Sequence, residues 1–309
     1  MIIVFGSLNV DIVMPVGHFP QPGETVLCSA DYLSRSGGKG SNQAVAAVRA
    51  GAKVAFVGKV GDDSFGRRSI NNLKSHGIWA AGIGISERPT GCATIAVDAQ
   101  GANIVMVAPG ANLDATADQV PDEVLGAKNI LLTQMEVSPA ETLTVLARAA
   151  ALGATTILNA SPAAHLNTES LAHIDYLIVN EIEALQLAQC FDIKATDAQQ
   201  IAHAVAQKGD LTCIITLEAK GSIAARGSAI YAVDALAVDA IDTTGAGDTF
   251  CGIFAACLQA NMDWLEALRH ASIGASLSCL AMGAQTQTPL MEDITAQLDN
   301  LPPARKIAG

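Results

Sequence analysis

The sequence predicts an α/β fold built on a doubly wound sheet, with a site along the carboxyl edge of its strands. From about residue 125 onward, short apolar runs alternate regularly with helical segments. Polar residues recur where those strand-like runs end: Asn9, Asp11, Glu136, Asn159, Asn180 and Thr216. Two glycine loops, 37–42 and 242–248, each run straight into a helical stretch.

The elements follow in order. Residues 2–5 are a short apolar run closed by Gly6, a buried strand. Asn9 and Asp11, two residues apart, face the same side if the chain stays extended, although a turn of Asx residues would use the same pair. Residues 12–35 carry Pro15, Pro20 and Pro22 and no helical period, with an extended reading from Glu24 to Leu33. They read as a β excursion from the main sheet. A small-residue helix follows over 43–50, with Gly51 as its stop. Next come a strand at 54–58 and a helix from 62 to about 76. A hairpin pairs 92–98 with 103–108 across Gln100-Gly101. The hairpin and the excursion predict a small four-stranded sheet over the site. Strands at 129–133, 156–159, 176–179 and 213–216 alternate with helices. A helix is expected from about Thr249 to Gln259 and another from Trp264 to Met282, with a polar, fraying tail after Thr295.

The chain has 309 residues, half of them apolar, enough for one large α/β domain or two ordinary ones. No linker or repeat divides it. The net charge of −12 leaves no basic stripe to neutralise a nucleic-acid backbone, though one bound nucleotide needs only local donors. The seven Cys form no C-x-x-C and the six His no ligand pair, so free thiols and no metal on either set are expected. No apolar stretch reaches the roughly 18 residues of a membrane span, and the start runs straight into a strand, so a cytoplasmic protein is expected.

The loop from Asp242 to Asp248 carries the chemistry. Gly245 and Gly247 let the backbone approach a ligand, and a helix N-terminus favours an anion there. Asp248 stands beside that cradle. An anion site with one adjacent carboxylate fits phosphoryl transfer to a hydroxyl; a glycine-rich turn capped by an Asp fits the same residues. The loop 37–42 adds Lys39 and Asn42 at a second helix start. It has the wrong spacing for a Walker A loop and can also be read as a turn with Ser41 as N-cap.

Taken together, these motifs resemble the ribokinase branch of the PfkB carbohydrate-kinase family over essentially the whole chain. Gly37-Gly38-x-Gly40-x-Asn42-x-Ala44 with Gly51 and Gly61 resembles the N-terminal signature. The run Asp242-Thr-x-Gly-Ala-Gly-Asp248 resembles the C-terminal one, and Asn180-x-x-Glu183 is a third shared feature. The resemblance implies a ribokinase-like three-layer α/β/α fold with a central, mostly parallel sheet. It implies one catalytic domain over 1–309, with a small β lid formed by about 11–36 and 89–106 that also makes a homodimer contact. It implies Asp248 as general base, and the backbone at Gly245, Ala246 and Gly247 as the cradle for the transferred phosphate. Asn9, Asp11, Gly38, Lys39, Asn42 and Glu136 would hold ribose. Asn180, Thr216, Gly221 and Ser272 would lie along ATP, and Glu183 would help place Mg2+ through water. Asp242, Thr244, Ser278, Ala281, Gly283 and Gln287 correspond to a loop for K+ or another monovalent cation.

The residue chemistry agrees with these roles. A furanose presents several hydroxyls on a small ring, and Asn9, Asp11, Asn42 and Glu136 mix donors with acceptors. Phosphoryl transfer needs positioning and charge stabilisation more than covalent chemistry. A helix N-terminus stabilises the Asp248 anion by roughly 0.3–2 kcal/mol, which weakens it as a base and shifts its value toward orienting the hydroxyl. Four positions depart from the family pattern. Glu218 replaces a Gly in the ATP loop, Ser272 an Asn or His, and Gln287 a cation-binding Ser; Ile253 alters the signature's tail. The expected activity is ATP-dependent phosphorylation of the 5-hydroxyl of D-ribose or a related pentose. A nucleoside or other small-sugar kinase of the same family is the alternative, and a non-catalytic sugar-binding relative is a third reading.

Overall fold

A computed structural model describes residues 1–163 and 166–309. Its elements are β1 (Ile2–Phe5), β2 (Asn9–Pro15), β3 (Leu33–Gly37), α1 (Lys39–Arg49), β4 (Val54–Gly61), α2 (Ser64–Ser75), β5 (Trp79–Ser86), β6 (Gly91–Val97) and β7 (Asn103–Ala108). They continue with β8 (Ile130–Gln134), α3 (Pro139–Ala151), β9 (Thr155–Asn159), α4 (Thr168–Leu171), β10 (Tyr176–Asn180), α5 (Glu181–Cys190), α6 (Ala198–Gly209) and β11 (Thr212–Thr216). The last are β12 (Ser222–Arg226), β13 (Ala229–Val233), α7 (Ala246–Gln259), α8 (Trp264–Ser278), α9 (Met291–Thr295) and β14 (Arg305–Ala308).

Among the described residues the strands form two sheets. The larger has ten strands in the order β14-β13-β12-β11-β10-β9-β8-β1-β4-β5. Every pair from β11 to β5 is parallel, while β12, β13 and β14 add antiparallel at one end. The inner strands bury both faces, so their sequences are continuous apolar runs rather than alternating ones. Ile3 and Phe5 pack toward α3, α5 and α6, whereas Ile2 and Val4 pack toward α1, α7 and α8. Two cores on opposite faces make the three-layer architecture.

The second sheet has four strands, β3-β2-β6-β7. Strand β2 pairs antiparallel with β3 and parallel with β6, and β6 pairs antiparallel with β7. Residues 24–32 are not the expected strand. Apart from a single bridge between Val16 and Cys28 they have no regular pairing, and extended structure begins only at Leu33.

Further expectations change. The tail pairs through β14 with β13 instead of fraying, because backbone pairing with an edge strand orders even a polar segment. Helix α8 stops at Ser278, four residues before Met282. Helix α1 begins at Lys39, so Ser41 lies inside it and caps nothing. Helix α7 begins at Ala246 rather than Thr249, which brings Asp248 into its first turn. No described helix is long and apolar enough to cross a membrane. Of the seven cysteines, four are buried, one is half-buried and two are exposed.

Candidate active site

Helices α1 and α7 lie side by side beneath the carboxyl edge of the sheet. Their approach is set at Gly252, where a Cβ would overlap the Gln43 carbonyl oxygen and Ala46 Cβ and come within 2.9 Å of Ala47 N. One turn earlier on α7, this contact delivers the buried Asp248 to the start of α1. Asn42 Nδ2 donates to Asp248 Oδ2 at 2.9 Å and Gln43 Nε2 donates to Oδ1 at 3.0 Å. Ile253, the departure in the signature's tail, is buried and its Cδ1 fills the space over Gly274 of α8, a packing role.

Gly245 precedes α7 in the left-handed region, φ 79°. This turns the first backbone N–H groups of α7 away from the preceding loop. Ala246 N still donates to Thr243 O at 3.2 Å, but the N–H groups of Gly247 and Asp248 find no acceptor among the described residues. A Cβ on Gly247 would meet nothing within 4 Å. The backbone donors left open at this turn are therefore those of Gly247 and Asp248, not that of Ala246. Two unpaired donors at a helix N-terminus, facing open space beside a held carboxylate, can stabilise an anion that forms there.

On the other side, the end of β1 and the start of β2 meet the loop before α1. Glu136 Oε2 accepts from Ser7 Oγ at 2.6 Å and from Lys39 N at 3.0 Å, leaving its second oxygen open. Asn9 Oδ1 accepts from Asn112 Nδ2 at 2.8 Å, which leaves the Asn9 amide hydrogens pointing elsewhere as donors. Asp11 lies across Gly37, where its carboxylate occupies the place a Cβ would take, and it accepts no hydrogen bond among the described residues. Gly38 adopts φ 90° at the entrance to α1.

The charges are coupled. Burial, then the Glu136 and Asp248 carboxylates, push Asp11 up to about 6. Burial alone would lower Lys39, but the fields of Asp248, Glu136 and Glu183 outweigh it and hold its ammonium above the usual range. The start of α1 is thus flanked by an unpartnered carboxylate, a firmly charged lysine and the amides of Asn9 and Asn42, a mixture that suits a neutral polyol. A cavity of about 760 Å³ opens beside it, lined among others by Asp11, Arg35, Arg68, Asn72, Asp242 and Gln285.

Further along the sheet edge, Asn180 caps α5 and forms a reciprocal box with Glu183. Asn180 Oδ1 accepts from Glu183 N at 2.8 Å and Asn180 N donates to Glu183 Oε2 at 2.9 Å. One oxygen of the buried Glu183 thus remains open. Thr216 ends β11, and its hydroxyl lies 3.4 Å from Val179 O. Gly221 holds φ 90° against the Val233 carbonyl. Glu218 adopts φ 53°, so the Glu that replaces a Gly sits in the region glycine favours. The Ser272 hydroxyl donates to Asp234 O at 2.7 Å and ties α8 to the β13 end.

The Asp242 loop is a separate unit. Burial opposes ionisation of Asp242, but N–H groups from Thr244 and Gly283, each at 2.9 Å, and the Arg35 guanidinium hold its carboxyl below the ordinary range. Ser278 hydrogen-bonds within α8, to Ala275 O at 2.8 Å, and Ala281 lies in the turn that follows. Gln287 is exposed and makes no hydrogen bond among the described residues.

Sequence reasoning missed Ser7, Asn112, Gln285, Gln43 and Gln134, and noted Asn159 only as a polar strand end. Gln43 in an Ala/Val helix and Gln134 after four strand residues were the available signals, being amides where the pattern calls for apolar side chains. Nothing in the sequence sets Asn112 or Gln285 apart, because each joins the site from a distant loop.

Comparison with known proteins identifies the relatives of the whole chain. The model of the family described as pfkB family carbohydrate kinase matches residues 1–291. The chain is 36% identical over 301 residues to a ribokinase of Haemophilus influenzae, covering 96% of this chain and 98% of the relative. The ribokinase structure from Thermotoga maritima superposes with a TM-score of 0.90 at 33% identity, covering 97% and 99% of the two chains. The ribokinase of Arabidopsis thaliana complexed with ribose and ATP superposes with a TM-score of 0.85 at 28% identity, covering 96% and 98%.

Proposed function

The chain belongs to the pfkB family of carbohydrate kinases and is thus a phosphotransferase; from that premise we propose that it moves the γ-phosphate of ATP to the 5-hydroxyl of D-ribose or a closely related pentose. The observation that carries this reading is the pair of unpaired N–H groups at Gly247 and Asp248 beside the held Asp248 carboxylate. The full-length similarity to ribokinases, one of them complexed with ribose and ATP, supports the substrate pair.

In the proposed reaction the sugar is held by Asn9, Asp11, Gly38, Lys39, Asn42 and Glu136. The acceptor oxygen attacks the γ-phosphorus and a new O–P bond forms. The bond from phosphorus to the departing ADP oxygen breaks, and the hydroxyl proton passes to Asp248 and on to solvent. The N–H groups of Gly247 and Asp248 stabilise charge on the transferred group, and Lys39 adds a fixed positive charge. ATP lies along Asn180, Thr216, Gly221 and Ser272. Mg2+ would neutralise its phosphates, and the open oxygen of Glu183 fits a water-mediated contact to it. A monovalent cation would be held at Asp242, whose carboxyl stays ionised, with oxygens of Thr244, Ser278, Ala281, Gly283 and Gln287; the Arg35 charge next to it weakens the demand for one.

The 1–309 chain acts as one catalytic unit in this reading, with the four-stranded sheet as lid. The lid's edge strand β7 exposes Ile104, Val105, Met106 and Val107, an apolar surface suited to a second copy of the chain. ADP release with ribose, 2-deoxyribose, hexoses and nucleosides, with and without K+, tests the assignment. Ribose is expected to give the highest kcat/KM. Turnover of a nucleoside but not of ribose overturns the substrate, and sugar binding with no turnover of any acceptor overturns catalysis.

A further inference from the structure

Gln43 is fully buried on α1, next to the sugar residues but not among them. Its amide is fixed on three sides. Nε2 donates to Asp248 Oδ1 and to Asn159 Oδ1, both at 3.0 Å, and Oε1 accepts from Gln134 Nε2 at 2.7 Å. Asn159 is itself fixed, because its Nδ2 donates to Ile178 O at 3.1 Å. Turning the Gln43 amide over would set its oxygen against two acceptors and its NH2 against another NH2.

The opposite oxygen of Asp248 is served by a second chain of amides. Asn72 Nδ2 donates to Gln285 Oε1 at 2.8 Å, Gln285 Nε2 to Asn42 Oδ1 at 2.8 Å, and Asn42 Nδ2 to Asp248. Both chains run in one direction and end on the carboxylate. Gln134 Oε1 is buried with no partner among the described residues. Its other end is committed to orienting Gln43.

We propose that Gln43, aligned by Gln134 and Asn159, is a positioning residue that locks the plane of the Asp248 carboxylate. The inference rests on the reading of Asp248 as the base. With one donor on each oxygen the carboxylate cannot swing about its Cβ–Cγ bond, and its remaining lone pairs hold one direction for the acceptor hydroxyl. Both amides present hydrogen and not oxygen to Asp248, so a proton taken up there has no acceptor in the network and passes outward.

The test uses Gln43→Leu, Gln134→Leu and Asp248→Asn, with Gln43→Leu also made in the Asp248→Asn background. Gln43→Leu is expected to lower kcat about 10- to 100-fold with sugar KM within about threefold. Gln134→Leu leaves Gln43 in place but removes the donor to its buried Oε1, and is expected to lower kcat about two- to tenfold with sugar KM within about threefold. In the Asp248→Asn background, Gln43→Leu is expected to cost less than about twofold in single-turnover rate, because its effect passes through the lost carboxylate. A rise in KM at constant kcat, or the same fold loss with and without Asp248, overturns the inference. If Gln43→Leu does not fold, the kcat-against-KM result for Gln134→Leu decides it. Near-wild-type turnover by Asp248→Asn alone overturns the base itself. A dead Asp248→Asn beside an unaffected Gln43→Leu overturns only the role of Gln43.

Discussion

Asp11 shows how a single carboxylate records the purpose of its surroundings. It is held at about 6, against 3.8 for the free side chain, chiefly by burial and then by Glu136 and Asp248. Well below pH 3.8 it is neutral folded or unfolded and costs nothing. As pH rises from 4 to 6 the unfolded chain gives up the proton more readily, so stability falls, and above 6 the penalty levels off at about 3 kcal/mol as an upper bound. Asp11→Asn removes that penalty. Its melting temperature is expected to equal the wild type's near pH 4 and to exceed it increasingly up to about pH 7, while the KM for sugar rises. Equal melting curves across that range would refute the assignment. The identity of Asp11 was legible in the sequence, from its two-residue spacing to Asn9. Its charge state was not, because Glu136 and Asp248 approach it only through the fold. Glu218 is the converse case: the departure was visible in the sequence, but its left-handed backbone was not.

At the scale of elements, the contact of α1 with α7 positions the chemistry. Gly252 lets α7 lie on the backbone of α1, and the Asn42 and Gln43 bonds to Asp248 depend on that approach. Gly252→Ala is expected to force the helices apart, costing about 1–3 kcal/mol in urea denaturation and lowering kcat with it. The lid strand β3 is gripped from two sides. Arg68 of α2 donates to the Ser34 hydroxyl at 2.7 Å and carbonyl at 2.5 Å, and the Arg35 guanidinium lies by Gly283, where a Cβ would be 2.5 Å from Nη1. Arg35 also supplies positive charge beside Asp242. Arg35→Ala is expected to increase the stimulation of turnover by K+ about two- to fivefold, the worth of a partly exposed charge pair. Titrating the rate against KCl at constant ionic strength measures it, and an unchanged K+ response sinks the idea. Strand periods gave most parallel strands to within a residue or two. Strands β5, β12, β13 and β14 and helix α6 escaped: β5 and β14 are edge strands and β12 and β13 an antiparallel extension, all of which gain their order from neighbours, whereas α6 carries a helical stripe, Ile201, Ala202, Val205 and Ala206, that was there to be read.

For the whole molecule, two apolar cores hold the ten-stranded sheet rigid, and the smaller sheet stands apart with an apolar edge. Met106→Glu, on a strand with every residue exposed, is expected to weaken self-association at least about tenfold by light scattering while the monomer's melting temperature stays within a few degrees. A wild type that is monomeric at micromolar concentration would overturn the lid as a dimer contact. The sequence by itself determined the fold class, the two glycine loops and the identity of the residues proposed as base and sugar ligands. These depend on local period and on residue types at strand ends, which a chain carries whether folded or not. Only the tertiary structure decided what orients them. The amide chains through Gln43, Gln134 and Gln285 and the separate Asn112–Asn9 pair join distant segments, Gln285 also reaching Ser41, 244 positions away. An amide reads as polar filler until folding sets it against a carboxylate, because hydrogen bonding is directional and only three-dimensional placement gives it a partner.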